Sequence, residues 1–296
     1  MPRPSPEKLC LVISMVIFGT IGILRSFIPY PSGVIAFVRG LVGCLFLLAV
    51  IFLRGGKPDL AAIKRNLVLL CGSGALIGAN WVCLFEAYRY TSVSVATMCY
   101  YMAPVFVVFI SRIVLKERLT AKKLLCAAAA LFGMALVSGV FGSADFSPAG
   151  VLFGLAAAMM YAWVIILNKL LKEISAFDRT MVQLGAAAVA VLPYVLLVED
   201  FSALSVTAPV VLMLLAAGVI HTGIAYALYF GSIEKIPAQT AALFSYIDPI
   251  TAVILSAAVL HEKMTAAAAV GIVMVLGAAV LSEIRLGKTT KEGQEQ

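Results

Sequence analysis

The stretch from Gly78 to Ser138 occurs twice in this chain. Displaced by 145 residues, it lies without a gap on Gly223 to Glu283. Phe85 falls on Phe230, Tyr101 on Tyr246 and Pro104 on Pro249. Val114-Leu115-Lys116-Glu117-Arg118-Leu119-Thr120-Ala121 falls on Val259-Leu260-His261-Glu262-Lys263-Met264-Thr265-Ala266. Apolar matches carry little weight in a sequence this hydrophobic. A Glu and a Thr at fixed spacing, thirteen residues after a Pro, are hard to obtain by chance. The chain therefore reads as two homologous halves, at 8–142 and 147–286.

Composition decides the solvent. Hydrophobic residues make up 62% of the chain and charged residues 12%, with mean hydropathy +1.06. Soluble domains carry about a quarter charged residues, so this chain faces lipid. The net charge of +7 needs no nucleic acid, because cytoplasmic loops of membrane proteins collect Lys and Arg. The six cysteines stand in apolar runs without metal or redox spacing and read as reduced packing residues. Arg3 and Lys8 before an apolar run imitate a secretory signal, but more apolar stretches follow, so a retained first helix is expected.

Ten stretches near the ~20 residues a bilayer requires lie at 8–28, 33–53, 67–89, 92–114, 121–141, 148–169, 178–198, 208–232, 237–259 and 265–286. Prolines and glycines punctuate them, and 287–296 reads as a disordered cytoplasmic tail. With the N-terminus in the cytoplasm, eighteen of the 22 basic residues fall on the inside, at 3–8, 54–65, 112–123, 169–179, 235 and 285–291. Both termini are therefore expected inside. Five spans per half is an odd number, so the second half runs upside down. Lys122 and Lys123 beside the first Glu-x-x-Thr loop become alanines beside the second, as that inversion requires. Inverted repeats of this kind build a site near the midplane that opens to either side.

On these residues the chain resembles the EamA family of the drug/metabolite transporter superfamily. The two copies of Pro followed by Leu-x-Glu-x-x-Thr carry the resemblance, together with Arg39 in Phe37-Val38-Arg39-Gly40. It implies an all-α membrane protein, a bundle of ten transmembrane helices in two inverted five-helix repeats around a central cavity. It also implies secondary transport of small organic metabolites, commonly export of amino acids or drug-like compounds.

Several residues are candidates for the chemistry. Asp248 lies within the ninth span, where a charge costs about 2.5–3.5 kcal/mol. It reads either as a proton carrier or as a hydrogen-bonded brace beside Pro249; its counterpart in the first half is Ala103. His221 in the eighth span reads as its titrating partner or as a neutral packing residue. Glu86 has Arg89 at i+3, which points to a local ion pair; the alternative is a cavity acid reaching Arg39. Arg39 lies six residues into its span, about 9 Å deep. It would bind a substrate carboxylate, pair with Glu86 or Asp248, or hold a structural or gating contact.

Gln239 and Tyr246 share a helix face, almost opposite Asp248. The cavity is accordingly expected on their side, with Tyr101 as the equivalent of Tyr246, and Asp248 in the bundle interior. Asn80, Trp163 and Tyr226, with Trp81, Tyr161, Asn168 and Tyr229, are further cavity candidates. Pro104 and Pro249 should kink the fourth and ninth helices, freeing the carbonyls of Tyr100 and Ser245. Glu117 with Thr120, and Glu262 with Thr265, are expected to cap the fifth and tenth helices. Small residues such as Gly133, Gly271 and Gly277 suit close contacts within the bundle or in a homodimer.

No phosphate loop, His-Glu-x-x-His or nucleophile triad is present in the sequence, so neither an enzyme nor a cofactor is expected. The expected function is a secondary exporter in the cytoplasmic membrane, coupled to protons through Asp248 or His221. The alternatives are an uptake or exchange carrier of the same fold, and a lipid-moving or non-transporting membrane protein with a shallow groove. Cysteines introduced at Lys122 and at Ala266 should label from opposite sides of the membrane with an impermeant maleimide. Labelling from one shared side would remove the inversion.

Overall fold

The computed structural model describes residues 6–116, 121–138, 147–200, 206–233, 244–245 and 247–283. Among them all regular structure is helical. The first span is split into α1 (Pro6–Gly19) and α2 (Ile21–Ser26). Then come α3 (Ser32–Leu53) and α4 (Leu60–Tyr90), and a fourth span split into α5 (Val93–Tyr100) and α6 (Ala103–Val114). α7 (Ala121–Ser138) completes the first half. The second half holds α8 (Pro148–Leu170), α9 (Ala176–Val198) and α10 (Ala208–Gly218), then a π-turn (Val219–Ile224) running into α11 (Ala225–Ile233). α12 (Ile247–Val259) and α13 (Ala266–Glu283) end the described chain. Seven helical segments are long and apolar enough to cross a membrane, and three shorter apolar helices fill the fifth, ninth and tenth positions of a ten-helix membrane protein.

Local chemistry explains the boundaries. α4 begins seven residues before the expected span, because the Asp59 carboxylate accepts the Ala61 and Ala62 N–H groups at 3.0 Å and caps it. At 1.5 Å per residue its 31 residues reach roughly 46 Å, well past the hydrocarbon. The turns carrying Lys64 and Arg65 thus extend beyond the apolar layer. The fourth span breaks at Tyr101–Met102, immediately ahead of Pro104, the second residue of α6. This is the interruption expected from a residue without an N–H.

The halves pack by exchange. α4 lies against α8, and its counterpart pairing is α11 against α1. α5 and α6 meet α8 as α12 meets α1, while α4 meets α9 as α10 and the π-turn meet α3. α3 on α9, α5 on α12 and α7 on α13 are their own counterparts. The repeat extends to single dihedrals. Lys116 and His261, the residues before the two motif glutamates, both take left-handed backbone, at φ 55° and 54°. The largest apolar core joins α3, α4, α9 and α10 through Ile35, Leu47, Phe85 and Leu184.

α7 and α13 approach closely enough to exclude a side chain. A Cβ on Gly133 would lie 2.7 Å from the Gly271 carbonyl oxygen, and Gly271 has the reciprocal constraint. These two glycines thus serve a contact within one chain. Gly277 on the same helix has nothing within 4 Å. Gly133→Ala should lower stability by about 1–3 kcal/mol, read as a fall in melting temperature in detergent. Gly277→Ala should leave it unchanged or raise it by up to about 1 kcal/mol.

Candidate functional site

Where the halves meet, a cavity of about 340 Å³ opens in the bundle interior, at the lower end of the range for small-molecule sites. Equivalent residues of both halves line it in pairs: Trp81 with Tyr226, Leu84 with Tyr229, Tyr100 with Ser245, and Ala103 with Asp248. The cavity therefore sits on the axis that exchanges the repeats. Six of the ten tyrosines form its wall: Tyr88, Tyr100, Tyr101, Tyr161, Tyr226 and Tyr229. A wall of phenols offers flat apolar faces with hydroxyls that donate or accept. The two residues whose carbonyls the prolines deprive of a helical partner, Tyr100 and Ser245, both belong to it.

Arg39 is the cation of this cavity and is 4% exposed. Its Nε donates to Thr222 Oγ1 at 2.8 Å, and its guanidinium lies 4.3 Å from the Trp81 ring centroid, a cation–π contact. The π-turn makes the Thr222 bond possible. Thr222 Oγ1 donates to the carbonyl five residues back, Ala217, at 3.0 Å. Gly218 precedes the turn and Gly223 lies within it, and a Cβ on either would meet Val42 or Phe46 of α3. Arg39, Val42, Gly43 and Phe46 share one face of α3, so the wider turn and that face fit together. The hydroxyl and the ring orient the guanidinium, and Arg39 lines the cavity.

Asp248 faces the same space. It occupies the first turn of α12, where unpaired N–H groups favour a carboxylate, and it hydrogen-bonds the Tyr101 hydroxyl. This corrects the expectation that Asp248 lies in the bundle interior away from the cavity. Asp248 is the second residue of α12. Among the described residues no ion pair within 4 Å joins Asp248 to Arg39. The cavity thus holds one group of each sign, not neutralised by direct contact.

Tyr101 and Tyr226 line the cavity. Others do not. Glu86 receives Arg89 Nη1 at 3.0 and 3.1 Å and forms the local ion pair, so it does not reach Arg39. Asn80 is buried against α8, its amide donating to the Ala157 carbonyl at 2.5 Å. Trp163 lies on the far side of α8 from Tyr161 and Ile165 and is 37% exposed. His221 is held beside the cavity, not in it: Nε2 pairs with Thr20 Oγ1 at 2.8 Å and Nδ1 with the Ala216 carbonyl at 3.2 Å. Gln239, Tyr246, Glu117 and Thr120 lie outside the described residues. Sequence reasoning passed over Thr222 and Tyr88. Thr222 bears no signal in sequence, because its role depends on a π-turn; Tyr88 shares a face with Trp81 and Leu84 at helical spacing.

A multi-pass helical membrane protein, doubled in sequence and enclosing a small central cavity, has the architecture of a membrane transporter. The EamA-like transporter family matches residues 6–139 and again 148–283, and the chain belongs to that family. The uncharacterized transporter YxxF of Bacillus subtilis is 29% identical, across 96% of this chain and 91% of its own length. An uncharacterized transporter of Archaeoglobus fulgidus is 26% identical over 93% and 95%, and protein PecM of Dickeya dadantii 26% over 81% and 87%. A solved crystal structure aligns with TM-score 0.66 at 20% identity, covering 94% of this chain and 96% of that one, which shows the fold alone.

The halves are also joined by Glu262. Thr265 caps α13 as expected, accepting the Ala268 N–H at 3.0 Å. Glu262 instead crosses to the other half and caps α5. Its carboxylate accepts the N–H groups of Val93 at 2.7 Å and Ser94 at 3.2 Å, and the Ser94 hydroxyl at 3.0 Å. The left-handed backbone at His261 directs the side chain across. Hydrogen bonds to a charged group contribute about 1.5–3 kcal/mol. Glu262→Ala should lower stability by that order in thermal unfolding, and by more than Thr265→Ala.

Proposed function

We propose that this chain is a secondary transporter in the cytoplasmic membrane that exports a small organic metabolite bearing a carboxylate, by alternating access. The observation that carries this reading is the pair Arg39 and Asp248, facing one cavity between the halves without neutralising each other. Arg39 is held by Thr222 and Trp81 before any ligand arrives, so a carboxylate meets a guanidinium already oriented. The tyrosine wall supplies apolar contact for the remainder of the molecule. Asp248 would carry the coupling proton, with Tyr101 sensing its charge state. The five-pass halves would lie inverted, with both termini in the cytoplasm, and their exchange packing suits rocking about the cavity. The cavity's position between the halves also favours transport over a lipid-facing scaffold.

Counterflow in proteoliposomes with a panel of radiolabelled small organic acids and their neutral analogues tests this. Arg39→Gln should reduce carboxylate transport at least about tenfold, equivalent to 1.4 kcal/mol, while Asp248→Asn should permit exchange but abolish drive by a pH gradient. His221→Ala should retain that drive. A pH dependence unchanged in Asp248→Asn would remove the coupling, and equal transport of acids and neutral analogues would remove the carboxylate.

A further inference from the structure

The π-turn that presents Thr222 carries a second polar side chain, His221, which stands beside the cavity. Both residues bond a carbonyl five positions back. Thr222 Oγ1 donates to Ala217 at 3.0 Å, and His221 Nδ1 pairs with Ala216 at 3.2 Å. A carbonyl only accepts, so Nδ1 carries a hydrogen, and in the neutral imidazole Nε2 is then an acceptor. Nε2 meets Thr20 Oγ1 at 2.8 Å, at the break between α1 and α2. The same hydroxyl lies 2.7 Å from the Ile17 carbonyl, so its hydrogen is shared between two acceptors. Adjacent residues of one turn thus reach different elements of the first half. Thr222 reaches α3 through Arg39, and His221 reaches the first span through Thr20.

Neither anchor is loose. Gly43 lies one turn after Arg39 on α3, and a Cβ there would stand 2.5 Å from Thr222 Cγ2. Thr222 therefore rests on the α3 backbone beside the guanidinium it holds. Gly19, next to Thr20, abuts the first turn of α12 from the other side. A Cβ there would lie 2.5 Å from the Asp248 carbonyl oxygen and 2.7 Å from Thr251 Cβ. Thr20 is thus backed by α12 where it faces the π-turn. Thr222 commits its one hydrogen to Ala217, which leaves its oxygen to accept from Arg39 Nε. A tilt of the turn would carry that oxygen off the guanidinium. His221, Thr222 and Arg39 are all buried, where hydrogen bonds are electrostatically stronger than in water.

We infer that His221 and Thr20 are positioning residues for Arg39: their bond fixes the π-turn and, through Thr222, the orientation of the guanidinium over Trp81. The inference rests on the reading of Arg39 as the group that meets a substrate carboxylate. In this role neither residue touches the molecule carried or moves the coupling proton. Their effect is on preorganisation. Without the tie, a carboxylate must first order the guanidinium it binds, and that cost appears as weaker binding with turnover retained. The assignment also accounts for a histidine at 221, which the coupling role of Asp248 leaves without a task. An imidazole reaches a carbonyl with one nitrogen and a hydroxyl with the other.

Fluorine NMR of the full chain labelled with 5-fluorotryptophan, in phosphatidylcholine nanodiscs, tests the positioning without any substrate. The chain has two tryptophans. Trp81 lies against the guanidinium, and Trp163 is outside the cavity lining. Thr20→Val, which removes the hydroxyl at nearly constant shape, should move the Trp81 resonance in the direction that Arg39→Gln moves it. Trp163 should stay in place, and Thr20→Ser should restore Trp81. His221→Ala leaves the Thr20–Ile17 bond available and should move the same resonance, which keeps the test open if Thr20→Val does not fold. Counterflow with the panel of radiolabelled small organic acids reads the consequence. For each acid that depends on Arg39, Thr20→Val should raise the half-saturation concentration about fivefold, the contribution of one hydrogen bond. Its maximal rate should stay within about twofold of the parent. A Trp81 resonance unmoved in both variants, or moving only together with Trp163, would overturn the proposal. So would an unchanged half-saturation, with or without a fall in maximal rate. If Arg39→Gln leaves counterflow of every acid unaltered, the carboxylate reading is removed, and the fluorine shifts alone decide the positioning.

Discussion

A guanidinium inside a lipid-facing bundle must find its solvation in protein, and the centre of this structure is arranged around that requirement. Arg39 is nearly inaccessible, and its Nε hydrogen belongs to Thr222 while its flat face rests on Trp81. Meeting those terms fixes much else. Thr222 is presented from a π-turn, Gly218 and Gly223 sit against α3, and α3 offers Val42 and Phe46 on the face that carries Arg39. A local charge thereby determines the packing of the second span against the eighth, across the boundary between the halves.

The same rule governs the breaks in the helices. In hydrocarbon, backbone groups released by an interrupted helix need partners, and the interruptions occur where partners or the cavity are available. The fourth span breaks ahead of Pro104, and Tyr100, Tyr101, Ala103 and Pro104 about that break line the cavity. The first span breaks at Thr20, whose hydroxyl bonds both the Ile17 carbonyl and His221. Polar groups are concentrated on the axis between the repeats because the backbone is irregular there.

Duplication supplies a symmetric scaffold, and substitution makes it asymmetric. Trp81 and Tyr226 occupy equivalent positions and both face the cavity, but Arg39 rests on the first. Asp248 has Ala103 as its equivalent, so the acid is present on one side of the axis. The motif glutamate shows the reverse. The residue before it takes left-handed backbone in both copies, at Lys116 and His261, and in the second copy the carboxylate crosses to the first half. In that second copy, a glutamate that looks like a local cap is a joint between halves.

The sequence by itself determined the solvent, the number of spans, the doubling of the fold and the rarity of Arg39 and Asp248. Each follows from composition or from spacing along one helix, which lipid makes unusually legible because a buried charge is costly there. It could not decide which polar residues converge. Asn80, Glu86 and His221 have the same local signature as true cavity residues, yet partners at Ala157, Arg89 and Thr20 engage them. Glu262 satisfies N–H groups 168 and 169 residues away. Those pairings are set by helix rotation and by the π-turn, which respond to the packing of the whole bundle and leave no periodic trace in the chain.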